Sequence, residues 1–216
     1  MRRRHALLLA AALPASAGAA PSEVIAAADT GDVAALRRLL DAGAAVDTRD
    51  ARQRTALLVA TRANRVAAAR LLIERGADVN AKDDIQDSAF LYAGAEGRLD
   101  ILRLTLAAGA DLRSTNRYGG TALIPAAHHG HVETVRALLK TQIDVDHVNR
   151  LGWTALLEAI LLGDGGAAHT EIVGLLIERG ADVDLSDAQG VRPLAHAEQR
   201  RQRAIIELLR RAGARR

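Results

Sequence analysis

Cysteine is absent from the 216 residues. That removes disulfides, thiolate catalysis and cysteine–zinc sites together. Aromatics are nearly absent too: one Phe, one Trp and two Tyr. Lysine occurs only as Lys82 and Lys140, so arginine carries almost all the positive charge. No long apolar run is present. Ala6 to Leu13 is too short to cross a bilayer, and no later segment is long enough. No Ser-His-Asp order, paired-carboxylate pattern or dinucleotide fingerprint stands out. The glycine-rich Gly163-Asp164-Gly165-Gly166 lacks the lysine and following Ser/Thr of a phosphate-binding loop. These absences point away from an enzyme and from a bound cofactor.

The N-terminus reads as processing rather than fold. Arg2, Arg3 and Arg4 form a basic region, an apolar stretch follows, and Ala15-Ser16-Ala17 and Ala17-Gly18-Ala19 are small-x-small cleavage sites. The pattern predicts a signal peptide over residues 1–19, cleaved after Ala17 or Ala19; Pro21 disfavours a cut after Ala20. The alternative is a disordered basic tail. No cysteine follows the apolar stretch, so no lipid anchor is expected. The expectation is one exported domain over residues 20–216, periplasmic or secreted, with no membrane insertion after cleavage. The full chain has 29 basic and 26 acidic residues. Losing the three leading arginines leaves a neutral domain, so the basic excess does not indicate a nucleic-acid partner.

What the chain does contain is a period. Gly43, Gly76 and Gly109 are each followed by Ala and recur every 33 residues; Gln142 takes the next slot, then Gly180 after 38 and Gly213 after 33. A second series keeps step: Thr55, Ser88, Thr121, Thr154 and Arg192, with the same five-residue insertion before the last. Such a period marks a solenoid of stacked supersecondary units, an architecture used mainly for macromolecular recognition. Within a unit, Leu123, Ala126 and Ala127, then Val132, Val135, Leu138 and Leu139, recur at helical spacing, with Gly130-His131 between the two helices. Gly76 and Gly109 fit the left-handed position just past a helix. Pro125 conflicts locally, because it removes a backbone donor about four residues into its helix.

The units open with Thr55-Ala-Leu-Leu-Val-Ala60, Ser88-Ala-Phe-Leu-Tyr-Ala93, Thr121-Ala-Leu-Ile-Pro-Ala126 and Thr154-Ala-Leu-Leu-Glu-Ala159, and close with Gly-Ala-Asp-Val-Asn at Gly76 to Asn80 or a variant. This joint signature resembles the ankyrin repeat. The resemblance covers about residues 22–216 and implies an all-α repeat solenoid, helix-turn-helix units with hairpin finger loops, six in number: approximately residues 22–48, 49–82, 83–115, 116–148, 149–186 and 187–216. The family's usual histidine after Thr-Pro-Leu is replaced by Leu58, Leu91, Ile124 and Leu157, which implies an apolar ladder between repeats. The first unit lacks a finger. In the last, Arg192 and Arg201 replace the usual Thr and Gly, and Arg210 an apolar residue, as a water-facing terminal cap requires. Residues 188–216 carry eight arginines against Glu198 and Glu207. A solvated cap or a site for an acidic partner would each explain that charge.

Repeats of this kind bind through finger tips and the exposed face of the first helix, one to four residues before the Thr marker and four after it. The frame therefore nominates Arg52, Arg54, Asp84, Arg117, Tyr118, Arg150, Leu151, Trp153, Tyr92 and Glu158 as partner-binding residues, with Ile85, Asp87, Val59 and Pro125 at equivalent positions. Three of the four aromatics fall in this set, with Arg117 and Arg150 nearby, and Trp, Tyr and Arg are enriched in binding hot spots. The competing reading of Trp153 is packing on the next finger. His128, His129 and His131 are the one metal-like cluster; ends of helices explain them equally, and no metal is expected. The insertion Asp164 to Ala168 reads as a surface loop or a contact loop at the groove edge.

Two stretches, Asn116-Arg-Tyr-Gly-Gly-Thr-Ala-Leu-Ile-Pro-Ala126 and Asn149-Arg-Leu-Gly-Trp-Thr-Ala-Leu-Leu-Glu-Ala159, resemble exported bacterial ankyrin proteins. That resemblance implies envelope stress protection, against peroxide and through a catalase; an exported enzyme, an envelope protein or a toxin that this protein neutralises are the candidate partners. The expected function is a monomeric, non-enzymatic scaffold binding a protein partner on its concave face. The alternative is a small-ligand or metal receptor using the groove of repeats three to five.

Overall fold

A computed structural model describes residues 21–215. The signal-peptide expectation for residues 1–19 lies outside them. Among the described residues there are twelve helices in six antiparallel pairs: α1 (Pro21–Thr30) with α2 (Val33–Asp41), α3 (Ala56–Arg62) with α4 (Val66–Glu74), α5 (Ala89–Ala95) with α6 (Leu99–Ala107), α7 (Leu123–His128) with α8 (Val132–Leu139), α9 (Ala155–Leu161) with α10 (Ala167–Glu178), and α11 (Pro193–Gln199) with α12 (Arg203–Arg211). The odd-numbered helices stack as one row and the even-numbered as a second.

In the four internal pairs the first helix (α3, α5, α7, α9) is short and mostly buried, because it packs against a neighbour on each side. Alanine at two fixed positions (Ala56 and Ala60, Ala89 and Ala93, Ala122 and Ala126, Ala155 and Ala159) keeps the row close. At Gly94 the approach is closer still: a Cβ there would lie 2.7 Å from the Cβ of Ala122. Between the alanines, Leu57, Phe90, Leu123 and Leu156 fill the core, and Leu58, Leu91, Ile124 and Leu157 are buried as the apolar ladder.

Three of these helices start on the same cap. The hydroxyls of Thr55, Ser88 and Thr154 accept from the N–H of Leu58, Leu91 and Leu157, each at 3.2 Å. Helix α7 differs because of Pro125. In the other repeats the marker's carbonyl accepts from the residue four on, as Thr154 O does from Glu158 N at 2.9 Å. Proline has no N–H to give, so Thr121 O takes Ile124 N instead, at 3.3 Å. The Thr121 hydroxyl is left buried with no partner, and α7 begins two residues past its marker. The second helices other than α8, which is followed by Thr141 and Gln142, end in glycine-terminated turns. Gly76, at φ +86, lets its own N–H reach Ile73 O and the N–H of Ala77 reach Leu72 O.

The fingers are turns rather than strands; the one β-bridge among the described residues joins Arg49 and Thr55. Each is closed by an Asp or Asn five residues before the marker. Asp50, Asp83, Asn116, Asn149 and Asp187 each accept from the backbone N–H groups two and four residues on. Neighbouring fingers are laced by side chains reaching backward carbonyls or forward ones: Arg49 to Lys82 O at 2.8 Å, Lys82 to Thr115 O at 2.7 Å, and Arg150 to Arg117 O at 2.8 Å.

The insertion divides between loop and helix. Helix α10 has 12 residues against 8 or 9 in α4, α6 and α8, so its start falls inside the inserted segment. The expected loop lengthening is therefore only partial. His169, on the added turn, contacts Asp164 Oδ1 and His128 O, both at 2.8 Å, and fastens the loop to the preceding repeat. In the terminal cap, Arg201 adopts φ +58 where other repeats place glycine or Asn64, and Arg210 pairs with Glu198 at 2.7 Å in solvent.

Candidate functional site

Because the Asx turn fixes each finger identically, the residue three before the marker emerges at the same place in every repeat. In three consecutive fingers it is apolar: Ile85, Tyr118 and Leu151, exposed by 40, 53 and 51%. These three line a cavity of about 480 Å³ running across repeats two to five. Its far wall comes from the first helices, four residues past the marker (Tyr92, Pro125, Glu158) and at their C-terminal ends (Arg62, Glu96, His128, His129, Leu162). Leu162 adds a fourth exposed apolar side chain.

The charged groups on this surface are mostly paired. Arg62 lies over the Tyr92 ring at 4.5 Å and Arg117 over Tyr118 at 4.7 Å. Arg62 also reaches Asp87 at 4.0 Å. Burial and the neighbouring Asp83 raise the Asp87 pKa, opposed by Arg117 and Arg62. Glu158 is the most buried of the carboxylates that line the groove, only 7% exposed. Its Oε1 accepts from Asn149 Nδ2 at 2.8 Å, and His128 Nδ1 stands 3.8 Å from Oε2. Burial pushes the Glu158 carboxyl above its ordinary range, with the Asn149 hydrogen bond opposing. Burial lowers the pKa of His128 and of His131, favouring their neutral forms.

The ten residues nominated from sequence divide into two sets. Arg117, Tyr118, Leu151, Glu158 and Tyr92 are brought together in the groove. Arg52, on the preceding finger, and Asp84, beside Ile85, are exposed and do not line it. Arg54 pairs with Asp50 at 2.6 Å and lines a separate hollow toward α1 with Ile25 and Val59. Arg150 lies along the fingers, and Trp153 is half-buried without lining the cavity. Arg62, Glu96 and Leu162 were not nominated. The same register, read seven and eight residues past the marker, would have found them.

The three histidine rings touch in sequence, with centroids 4.6 Å apart for His128 and His129 and 5.7 Å for His129 and His131, but each has its own further neighbour. His129 Nδ1 contacts Ala95 O at 2.7 Å, His131 packs on Gly97, and His128 faces Glu158. Among the described residues no group of three His, Asp or Glu side chains converges as metal ligands.

The profile of the family described as ankyrin repeats (3 copies) matches residues 16–83 and 90–187. A crystal structure of an ankyrin repeat domain from Acinetobacter baumannii AYE is 57% identical, with a TM-score of 0.87, over 89% of this chain and 98% of that one. The ankyrin repeat protein EF0377 is 39% identical, with a TM-score of 0.86 and the same coverage. The ankyrin repeat domain of human ASB11 is 27% identical, with a TM-score of 0.76, over 89% of this chain and 84% of that one. No curated protein matches the chain.

Proposed function

The chain belongs to the ankyrin-repeat family, and we propose that it is an exported, monomeric, non-enzymatic scaffold that holds a protein partner in its concave groove. Ankyrin repeats are protein-interaction scaffolds in general, and the all-helical solenoid here has that form. The observation that supports this site is the apolar row Ile85, Tyr118 and Leu151, repeated at one position in three consecutive fingers and left in solvent. Contiguous exposed apolar surface on an otherwise polar protein is characteristic of an interaction site. Its flanking arginines already stack on tyrosines, so much of the ordering entropy of these side chains is spent before a partner arrives. The basic start and small-residue cleavage sites support export. A role in envelope stress protection or toxin neutralisation is the biological setting we propose.

Affinity capture from an envelope extract, followed by mass spectrometry, tests the reading. Wild type and the Arg210→Ala control should retain the same protein, and Tyr118→Ala should lose it. Equal retention by Tyr118→Ala would remove the groove from consideration. Intact-mass analysis of the envelope-fraction protein should find a start at Gly18 or Ala20; a cytosolic product keeping Arg2 to Arg4 would refute export.

A cavity of about 480 Å³ is also within the size range of small-ligand pockets. That second reading requires a ligand-dependent rise in melting temperature of the purified protein.

A further inference from the structure

We infer that the Glu158 carboxylate anchors a basic side chain, arginine or lysine, of the polypeptide segment that occupies the groove. The inference rests on the groove being a protein-binding site and adds the chemistry of what enters it.

Glu158 differs from three acidic groups of the fingers and from Glu96, which lines the same groove but is exposed to water. Asp50 has Arg54 at 2.6 Å, Asp187 has His196 at 2.7 Å, and Asp87 has Arg62 at 4.0 Å. Asp187 is the informative comparison, because Asp187 and His196 occupy the same two repeat positions as Asn149 and Glu158. Burial alone would raise the Asp187 carboxyl, yet hydrogen bonds from Val191 N–H and His196 bring it below its usual range. In repeat five the roles are exchanged. The carboxylate is on the helix, and its partner is a neutral amide that occupies only Oε1.

For Oε2 the nearest group able to carry positive charge is His128, at 3.8 Å. That is beyond hydrogen-bond length. Burial biases this imidazole toward its neutral form. Glu158 is thus a carboxylate more than nine-tenths withdrawn from solvent, lining an open groove with one oxygen uncommitted. A buried charge of this kind is costly until a counter-charge arrives.

The surroundings match the shape of a basic side chain. Exposed Leu151 and Leu162 line the same cavity as Glu158. Arginine and lysine carry a methylene stem that lies on apolar surface while the charged head reaches a polar group. The stem accounts for the leucines and the head for Oε2. An acidic segment would bring like charge to a carboxylate whose Oε2 has no hydrogen-bond partner, and a wholly apolar one would seal that oxygen off.

Short random peptides displayed on phage, panned near neutral pH against the immobilised wild-type chain, provide the test. The expected winners carry Arg or Lys at a fixed position beside an apolar residue. A synthetic peptide of that sequence should bind Glu158→Gln roughly tenfold or more weakly than wild type. Replacing its basic residue by glutamine should cause a comparable loss on wild type and little further loss on Glu158→Gln. Melting curves establish that both Glu158→Gln and Tyr118→Ala remain folded. Peptides that depend on Tyr118 but show no basic preference, or whose basic residue matters equally in both backgrounds, would overturn the inference and leave the groove standing. Peptides indifferent to Tyr118→Ala, or no enrichment at all, would overturn the groove reading and the inference with it. Agmatine binding as tightly as the peptide would overturn the choice of a polypeptide.

Discussion

Replacing the cap threonines by valine separates two positions that are equivalent in sequence. Thr121 and Thr154 are both markers and both buried, at 1 and 2% exposure. Valine keeps the shape and removes the hydroxyl. At Thr154 the hydroxyl accepts from Leu157 N–H at 3.2 Å, so Thr154→Val loses a cap and strands a buried donor. Loss of such a cap costs about 0.5–2 kcal/mol; with the stranded donor, the upper half of that range is expected. At Thr121 the hydroxyl is already without a partner, because Pro125 has diverted Ile124 N–H to the carbonyl. Thr121→Val should therefore fall within about 0.5 kcal/mol of wild type or stabilise, since a desolvated hydroxyl is removed and no bond is broken. Urea denaturation at matched m-values reads both. The proline supplies a further control. Pro125→Ala restores the missing N–H, so Ile124 N–H can return to the Thr121 hydroxyl. In that background Thr121→Val should cost about 1 kcal/mol, a coupling visible in a double-mutant cycle. Equal losses at Thr121 and Thr154 in the wild-type background would refute the diverted-cap argument.

Leu138→Ala should destabilise by about 2–5 kcal/mol in the same assay, since the side chain is fully buried between stacked repeats; a neutral result would misplace the repeat frame. Glu158→Gln should stabilise the protein at neutral pH. The folded-state pKa lies above the unfolded one, so ionisation opposes folding; the variant's gain should grow as pH rises through that pKa and vanish below the ordinary glutamate range. His128, at the end of α7, stands 3.8 Å from this carboxylate and His129, just past that helix, interacts with it, so the profile is best repeated in His128→Asn and His129→Asn backgrounds. In binding, Tyr118→Ala and Leu151→Ala should each weaken the partner by roughly 1–3 kcal/mol, and Arg210→Ala should not; loss of the partner on Arg210→Ala alone would move the site to α12.

Much of the architecture was legible before any coordinates, because a repeat protein writes its contacts into a period. Thr55, Ser88 and Thr154 cap helices through bonds only three residues long, and Gly76 takes its left-handed turn within its own helix end, so local spacing was sufficient to place them. The apolar ladder from Leu58 to Leu157 was visible because each rung occupies the same slot. The site was legible only as a set of slots. Arg117, Tyr118, Leu151, Tyr92 and Glu158 do meet in one groove, yet Trp153, two residues from Leu151, is half-buried and does not line it. Arg62 and Leu162 came from the far ends of their helices and join the groove only because adjacent repeats stack. The burial of Glu158 depends on Asn149 and His128 from separate turns of the chain, a relation that no spacing rule expresses. The fate of the Thr121 hydroxyl turned on the hydrogen bond that Pro125 could not make. The sequence by itself therefore determined the helices, their caps and the register, because these are governed by contacts within a few residues. Only the stacked structure decided which side chains share a groove, which carboxylate is withdrawn from water and which polar atom goes unpaired, because each depends on what neighbouring repeats bring into contact.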